Sequence, residues 1–225
     1  MKLDSRLALC ADMVQGDYIC DIGTDHGYLP AYLLSTGKCS RALCSDINPL
    51  PLGSSEENLN KEGVAHMAQF RLSNGFESLD ITGVTDIVIA GMGGETIAEI
   101  LSNEKSRCPA NFILQPMSRA EILRDYLAAN GFEVTSERAA VCGGFAYAVM
   151  SCKFTGTPYI ISPERRITGL LSKDDPASRE LVSRQISRII SAVRGLINSS
   201  DMTLKSKGEN SLSLAEKIRS DWGFE

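Results

Sequence analysis

The segment of this sequence with the most chemistry is a glycine-containing loop, Asp21-Ile22-Gly23-Thr24-Asp25-His26-Gly27-Tyr28-Leu29-Pro30, which follows an apolar run. Its two glycines, four positions apart, allow the backbone to pass close to a bound ligand. A dinucleotide-binding loop would favour glycine where Asp25 stands, because a carboxylate there repels a pyrophosphate. Asp21 and Asp25 suit a cationic or zwitterionic ligand instead. S-adenosylmethionine, with its sulfonium and ammonium groups and no phosphate, has that chemistry.

Polar or glycine-rich residues also stand where later apolar runs end. Asp46 ends the next run, 25 positions after Asp21, where an acidic side chain accepts both hydroxyls of a ribose. Ser73-Asn74-Gly75 follows a third run, and the Asn74 amide suits an adenine edge. Ala90-Gly91-Met92-Gly93-Gly94 exposes backbone where a methyl acceptor should lie, and Ile113-Leu114-Gln115-Pro116 ends a fifth run. The spacing therefore predicts one ligand crevice at the carboxyl ends of several strands.

The elements that must position these residues are short apolar runs separated by segments with helical spacing. The predicted strands are Tyr18–Ile22, Ala42–Asp46, Ala68–Leu72, Asp86–Ala90, Asn111–Gln115, Phe132–Ser136 and Ala146–Cys152. The predicted helices include Pro30–Thr36, Ser54–Lys61, Glu95–Ser102 and Arg119–Asn130. Apolar strands alternating with helices predict an α/β fold with a doubly wound sheet covered on both faces. Because only residues Glu137–Phe145 separate the last two strands, we expect them to form an antiparallel hairpin at the sheet edge.

After residue 154 the pattern changes, which predicts two domains, residues 1–154 and residues 155–225. Asp174-Asp175-Pro176 is typical of a helix start. The apolar residues beyond it repeat every three or four positions, as in a coiled coil, and are Val182, Ile186, Ile189, Val193 and Leu196. After a break at Asn198–Asp201 and a polar stretch to Asn210, a second segment carries Leu214, Ile218 and Trp222 on one face. We expect these two segments to form an antiparallel helical hairpin.

Composition narrows the class of protein. The longest uncharged stretch, Ala139–Cys152, is shorter than the roughly 18 residues of a membrane span, and the N-terminal residues lack the apolar core of a secretion signal. The seven cysteines include no Cys-x-x-Cys pair and accompany only two histidines, which argues against a metal site and favours free thiols in a reducing compartment. We therefore expect a cytoplasmic protein.

The net charge is −5, but residues 155–225 hold 11 basic and 9 acidic side chains, so the helical segment is the basic part.

Four segments together resemble the bacterial tRNA (adenine-22-N1)-methyltransferase family. They are the loop Asp21–Pro30, the turn Ala90–Gly94, the strand end Ile113–Pro116 and the opening Leu3–Leu7. The resemblance covers essentially the whole chain and is strongest over residues 3–130. It implies a seven-stranded, Rossmann-like class I methyltransferase sheet with a C-terminal coiled-coil-like extension. It also implies that S-adenosylmethionine is the methyl donor and that N1 of a tRNA adenine is the acceptor.

This resemblance and the residues together give hypotheses for individual side chains. We assign the catalytic part to Asp25, which would stabilise the cationic methylated ring, with His26 as partner of the N6 amino group and Tyr28 stacking on the adenine. The predicted cofactor residues are Arg6, Asp21, Gly23, Gly27, Asp46, Ile47, Asn74, Gly75, Gly91 and Met92. The predicted substrate residues are Gln115, Pro116, Arg184, Arg188 and Arg194, the three arginines pointing away from the apolar seam towards tRNA phosphates.

The residues leave other functions open. The same fold can methylate a small molecule, with the helical segment as a lid or dimer contact, and the acidic pI of about 5.2 agrees with that alternative. A module that binds the cofactor without catalysis, or an NAD-dependent oxidoreductase, are further alternatives, and Asp25 argues against the last. The sequence does not decide the oligomeric state, for which a monomer is the simpler expectation.

Overall fold

The computed structural model of this protein describes residues 2–199 and 201–224. The strands are β1 (Tyr18–Ile22), β2 (Arg41–Asp46), β3 (Ala68–Leu72), β4 (Asp86–Gly93), β5 (Asn111–Ser118), β6 (Phe132–Cys142) and β7 (Phe145–Phe154). The helices are α1 (Ser5–Met13), α2 (Tyr28–Ser35), α3 (Pro49–Lys61), α4 (Gly94–Leu101), α5 (Ala120–Ala129), α6 (Pro163–Thr168), α7 (Pro176–Ile197) and α8 (Met202–Asp221). Two 3-10 turns occupy Ala65–Met67 and Glu104–Ser106.

The strands form one sheet in the order β3-β2-β1-β4-β5-β7-β6, in which β7 is antiparallel to both of its neighbours and the other pairs are parallel. Every residue of β1 is buried because helices cover both faces of the central strands. The predicted seven-stranded, doubly wound sheet is thus confirmed. From β1 the chain continues to β2 on one side of β1, and it later returns to β4 on the other side. Where the connections change direction in this way, at the switch point of the sheet, a crevice opens at the carboxyl ends of the strands.

The hairpin of β6 and β7 is longer than the sequence predicts. Residues 137–142, which lie between the two predicted strands, continue β6 as far as the pair Cys142↔Phe145. The turn consists of Gly143 and Gly144, with φ of +57° and +77°. Two adjacent glycines in this left-handed region make the tight turn that fits the twist of a hairpin. The predicted bounds Phe132–Ser136 and Ala146–Cys152 were therefore too short, whereas the predicted antiparallel hairpin at the sheet edge is confirmed.

Helix α3 likewise begins earlier than expected, at Pro49 rather than Ser54. Proline suits the first turn of a helix because its fixed φ is helical and its missing N–H is not needed there. The early start places Asn48 and Pro51 beside the end of β2, at the edge of the crevice.

The predicted helical hairpin is present as α7 and α8. Asp175 caps α7 by accepting the backbone N–H of Ser178 at 2.9 Å, as the Asp-Pro start indicated. Asp201 caps α8 in the same way. The polar stretch that follows the predicted break and extends to Asn210 is therefore helical from Met202. Gly208 allows the close approach of the two helices, because a Cβ at this position would lie 2.9 Å from the Cβ of Leu196.

The helical hairpin and the sheet share one apolar core. Val182 and Ile186 of α7 and Ile218 of α8 are buried in the same cluster as Phe112 of β5 and Met150 of β7. The interface between residues 155–224 and the sheet therefore consists of core packing. Arg184 and Arg188 of α7 line a second cavity together with Pro116 and Met117 near the end of β5.

Candidate active site

A cavity of about 880 Å³ lies at the carboxyl ends of β1, β2 and β4. Most of the predicted site residues, although far apart in sequence, line it together. They are Arg6, Asp21, Gly23, Asp25, His26, Tyr28, Asp46, Ile47, Asn74, Gly75, Gly91 and Met92. The cavity is of the size that small ligands occupy, and its walls carry four aspartates, Asp4, Asp21, Asp25 and Asp46.

The loop after β1 is held by the backbone of β2. The N–H groups of Gly23 and Thr24 both donate to the carbonyl oxygen of Ser45, at 2.8 and 2.9 Å. Gly23 has a φ of +76°, and a Cβ at this position would lie 2.0 Å from Cε of Met92. Glycine therefore leaves room for the loop to pass closely under Met92.

Gly27 lies behind this loop, and the structure does not place it in the cavity wall. Its φ is +66°, and a Cβ there would lie 2.2 Å from Oγ of Ser55 on α3. The residue thus permits close packing of the loop on α3. A role for Gly27 towards a ligand is indirect, through the shape of the loop.

The three residues assigned to catalysis stand at the mouth of the cavity. Asp25 adopts a φ of +50°, unusual for a residue with a side chain, and its carboxylate is 68% exposed. Nε2 of His26 lies 3.7 Å from Oδ1 of Asp25, and the ring centroids of His26 and Tyr28 are 5.5 Å apart. Asn58 of α3 donates to the carbonyl oxygen of His26 at 2.9 Å. An acid, an imidazole and a phenol are therefore presented side by side to an incoming substrate.

Asp21 is the most deeply buried carboxyl group of the cavity. Burial raises the pKa of its carboxyl from 3.8 to about 6, and the negative charge of Asp46 adds to this rise. The hydroxyl oxygen of Thr24 in the same loop is buried and has no hydrogen-bond partner among the described residues. A cationic group in the cavity would relieve the cost of ionising Asp21, because opposite charge favours the ionised form.

Asp46 is oriented by backbone donors at the end of β2. Its Oδ1 accepts the N–H of Asn48 at 2.9 Å and its Oδ2 accepts the N–H of Asp25 at 3.4 Å. Beside it the side chain of Ile47 is exposed and offers an apolar surface at the cavity edge. Across the cavity, the amide nitrogen of Asn74 donates to Glu77 at 2.9 Å, which leaves its amide oxygen for a ligand.

Gln115, predicted to bind substrate, is buried and does not line this cavity. Its side-chain oxygen accepts Nη1 of Arg6 at 2.7 Å and the backbone N–H of Gly91 at 3.0 Å. Gln115 therefore supports two cavity residues from behind. Arg6 is fixed over the cavity by this contact and by Asp4, 3.3 Å from its Nη2.

Three other predicted substrate residues, Pro116, Arg184 and Arg188, line a second cavity between the sheet and the helical hairpin. Arg194 is exposed on α7 and lies outside both cavities. All three arginines are exposed on α7. Phe145 and Gln185 also line the second cavity, and the sequence analysis did not select them. The aromatic residue beside the Gly143-Gly144 turn was the available signal.

Among residues 2–199 and 201–224, no group of three or more His, Cys, Asp or Glu side chains is placed to hold a metal ion. Of the helices formed by these residues, none is both long and apolar enough to cross a bilayer.

Comparison with known proteins identifies the family and the relatives that this chain resembles. Residues 3–150 match a family described as a methyltransferase domain. A tRNA (adenine(22)-N(1))-methyltransferase of Bacillus subtilis is 32% identical over 153 residues, which are 67% of this chain and 64%, just under two thirds, of that protein. A putative tRNA methyltransferase of Mycoplasma pneumoniae is 33% identical over 152 residues, which are 66% of this chain and 70% of that protein.

The fold is shared over the whole length with solved structures. A putative tRNA (m1A22) methyltransferase of Streptococcus pneumoniae superposes with a TM-score of 0.85 at 26% identity, covering 96% of this chain and 99% of that one. Its structure in complex with S-adenosyl-L-methionine gives a TM-score of 0.82 at 24% identity over the same shares. The matches confirm the resemblance to the bacterial tRNA (adenine-22-N1)-methyltransferases that the motifs indicated. This chain belongs to the methyltransferase-domain family.

Proposed function

We propose that this chain transfers a methyl group from S-adenosylmethionine to N1 of adenine 22 in tRNA. The observation that carries the proposal is that four aspartates line one cavity at the switch point of the sheet, and that three of them, Asp21, Asp25 and Asp46, stand apart from the pair of Asp4 with Arg6. Among the described residues, none of the three forms an ion pair with a lysine or arginine, which leaves the cavity suited to a cationic ligand. The names of the relatives from Bacillus subtilis and Streptococcus pneumoniae support the same reaction and acceptor.

The residues of the cavity fit S-adenosylmethionine. Asp46, already oriented by two backbone N–H groups, would accept the ribose hydroxyls, and the free amide oxygen of Asn74 would accept the adenine amino group. Asp21 would face the cationic part of the cofactor, whose charge favours the ionised carboxylate. The guanidinium of Arg6, held by Gln115, would bind the methionine carboxylate. The glycines at 23 and 91 keep the backbone close to the ligand.

The reaction requires the protein to align adenine N1 with the methyl carbon and to stabilise the positive charge that develops on the ring. Bound S-adenosylmethionine supplies an electrophilic methyl carbon, and the electron pair of its bond to sulfur leaves with the sulfur. Adenine N1 already carries a lone pair, so Tyr28 and the loop need only hold the ring in line. The ring gains a positive charge as N1 bonds to carbon, and the exposed carboxylate of Asp25 stabilises that charge. His26, 3.7 Å from Asp25, is placed to accept a hydrogen bond from the N6 amino group.

The helical segment supplies the surface for tRNA in this proposal. Residues 1–154 carry the cofactor site, and residues 155–225 add Arg184, Arg188 and Arg194, whose exposed charges can follow RNA phosphates. Binding by these arginines weakens as salt concentration rises, because counterions are released from the RNA. A cytoplasmic location belongs to the same proposal and agrees with seven free cysteines.

The deciding experiment offers labelled S-adenosylmethionine with unmodified bacterial tRNA, with the same tRNA carrying guanine at position 22, and with free adenosine. We expect label in the first RNA only, as N1-methyladenine at position 22 by nuclease mapping and mass spectrometry. Methylation of free adenosine alone would make the chain a small-molecule methyltransferase. Tight cofactor binding with no methylated product in any arm would make it a binding module, and binding of NAD instead would reject the proposed ligand.

A further inference from the structure

A second cavity, of about 840 Å³, adjoins the first, and Met117 lies in the wall of both. The end of β5, the start of β7 and the facing side of α7 form its walls, with Ser211 and Leu214 of α8 behind. The reaction proposed above needs only the first cavity. The second cavity, which opens beside the proposed acceptor site, is therefore large enough to bind a ligand of its own.

An exposed aromatic ring stands at the mouth of this second cavity. Phe145, the first residue of β7, is 54% exposed, and the guanidinium carbon of Arg184 lies 5.8 Å from its ring centroid. Tyr147 is half-buried on the same strand and also lines the cavity. Exposed aromatic rings beside arginines provide the stacking surfaces on which unpaired bases bind in RNA-binding proteins.

An unsatisfied polar atom points to a ligand with hydrogen-bond donors. Oε1 of Gln185 on α7 is buried and has no hydrogen-bond partner among the described residues. Leaving a buried acceptor without a partner is unfavourable, and a ligand N–H in the cavity would supply one. Every nucleobase carries at least one N–H group on its pairing edge.

The charge of the cavity wall favours an anionic partner. Four arginines, at positions 119, 166, 184 and 188, and only one glutamate, Glu121, line it in a protein whose net charge is −5. Arg119, Arg166 and Arg184 are each paired with a carboxylate, of Glu95, Asp125 and Glu180 respectively. Arg188 makes no hydrogen bond or ion pair with any residue that the structure describes, so it is the arginine of this wall with a free charge. Apolar walls, a free acceptor and a rim of positive charge match a nucleotide within RNA better than an apolar peptide segment.

We propose that the second cavity binds an unstacked nucleotide next to the adenine that is methylated. Its base stacks on Phe145 and donates an N–H to Oε1 of Gln185, while Arg184 and Arg188 contact the flanking phosphates. The base thereby acts as an anchor that holds the adenine displaced from the RNA stack, since both nucleotides must leave their stacked positions together. This inference rests on the proposed tRNA methylation.

The first test compares four single variants with the wild-type chain. Phe145→Ala, Gln185→Leu and Arg188→Ala remove the three contacts, and we expect each to raise KM for unmodified tRNA about fivefold to tenfold, the size of one stacking or hydrogen-bonding contact. Ile160→Ala, which shortens an apolar side chain that is 99% exposed outside both cavities, is the matched control. The affinity for S-adenosylmethionine, measured by calorimetry, should stay unchanged in all four.

The second test asks which nucleotide occupies the cavity. The base on either side of adenine 22 is removed in turn, giving two tRNAs with one abasic residue each. In one of them we expect KM for the wild-type enzyme to rise about tenfold, and Phe145→Ala to add almost nothing to that loss. Such a thermodynamic cycle isolates the contact between ring and base, because independent losses would multiply.

The outcomes separate this inference from the proposed function. If the wild-type chain methylates adenine 22 but Phe145→Ala and Gln185→Leu behave like the Ile160 control, the second cavity has no part in RNA binding and the inference is rejected alone. The inference is also rejected if, with both abasic tRNAs, the rise in KM caused by Phe145→Ala multiplies the rise caused by the missing base. A dimer in sedimentation experiments that Phe145→Ala dissociates would assign the face to a second copy of the chain. No methylation of any tRNA by the wild type would reject both proposals.

Discussion

Nη1 of Arg6 donates a hydrogen bond of 2.7 Å to Oε1 of Gln115, a residue 109 positions away in the chain. The same oxygen accepts the backbone N–H of Gly91 at 3.0 Å. One buried amide of β5 therefore joins the first helix to the last residues of β4. The two groups that it fixes, a guanidinium and a glycine backbone, both line the proposed cofactor site.

Replacing Gln115 by leucine should weaken cofactor binding without unfolding the protein. Leucine keeps the volume but removes the acceptor, so the Gly91 N–H loses its partner and Arg6 is free to leave the cavity. Loss of a buried hydrogen-bond partner costs roughly 1–3 kcal/mol, and we expect the Kd for S-adenosylmethionine to rise about tenfold or more by calorimetry.

The matched control is Gln69→Leu, which makes the same change at an exposed position of β3 and should leave the Kd unchanged. Unchanged cofactor binding in Gln115→Leu would mean that neither Arg6 nor the Gly91 turn contributes to the site. In that case the methionine carboxylate needs a different partner.

The left-handed backbone of Asp25 decides which substitution tests its chemistry. Alanine at a φ of +50° would add strain, whereas asparagine tolerates this conformation and removes only the charge. We expect Asp25→Asn to lower kcat for tRNA by about a hundredfold and to leave the Kd for S-adenosylmethionine within about threefold. Single-turnover methyl transfer and calorimetry measure the two quantities.

Asp17→Asn provides the comparison, since Asp17 is exposed outside the cavity. An Asp25→Asn protein that turns over normally but no longer binds the cofactor would make Asp25 a cofactor ligand. The stabilisation of the product charge would then fall to another group.

Most of the cofactor residues proposed from the sequence line one cavity, because the signals that selected them are local. A glycine or a carboxylate placed directly after an apolar run, as at Gly23 and Asp46, is brought to the carboxyl edge of a parallel sheet by the fold itself. Residues such as Arg6 and Asn74 were therefore assigned to one crevice although no short-range pattern connects them.

Contacts between distant segments escaped the sequence analysis, because they depend on side-chain direction and on register. Gln115 ends the predicted fifth strand, but β5 continues to Ser118 and the Gln115 side chain is buried, which no spacing reveals. Residues 137–142 belong to β6 because they pair with β7 as far as Cys142. Phe145 was overlooked because a lone aromatic residue next to glycines is usually part of a turn.

The raised pKa of Asp21 predicts how stability and cofactor affinity depend on pH. The folded chain keeps this proton up to about pH 6, whereas the unfolded chain releases it near 3.8. The folded state therefore binds more protons in this window, and the free energy of unfolding without cofactor should fall as pH rises from 3.8 to about 6. Asp21→Asn should remove this dependence and be the more stable protein at pH 7, as measured by urea unfolding.

Affinity for the cationic cofactor should change in the opposite direction. Binding needs the ionised carboxylate, so the association constant should rise by up to tenfold per unit below about pH 6 and level off above it. Calorimetry between pH 5 and pH 8 tests this, with Glu57→Gln, an exposed position on α3, as the control. A flat affinity profile for the wild-type chain would show that Asp21 does not interact with the positive charge of the cofactor.

A buried ion pair joins the sheet to the helical segment. Arg124 of α5 and Glu137 of β6 are in contact, with side chains 1% and 0% exposed. The Arg124 guanidinium also donates to the carbonyl oxygens of Arg166 and Ile167 at 3.0 and 3.1 Å, and Glu137 accepts the backbone N–H of Leu170 at 3.0 Å. The pair thus fixes the end of α6, through which the chain enters the helical hairpin.

Replacing Glu137 by glutamine should strongly destabilise the protein, because the Arg124 charge would remain buried without a counter-charge. Loss of one partner of a buried pair costs about 3–5 kcal/mol. We expect a lower urea midpoint for Glu137→Gln and a reduced affinity for tRNA before S-adenosylmethionine binding is lost. Asp125→Asn is the matched control, since its pair with Arg166 is exposed and worth about 1 kcal/mol or less. Equal losses for the two variants would show that the buried pair does not anchor the helical segment, because packing of α7 and α8 against the sheet would then suffice.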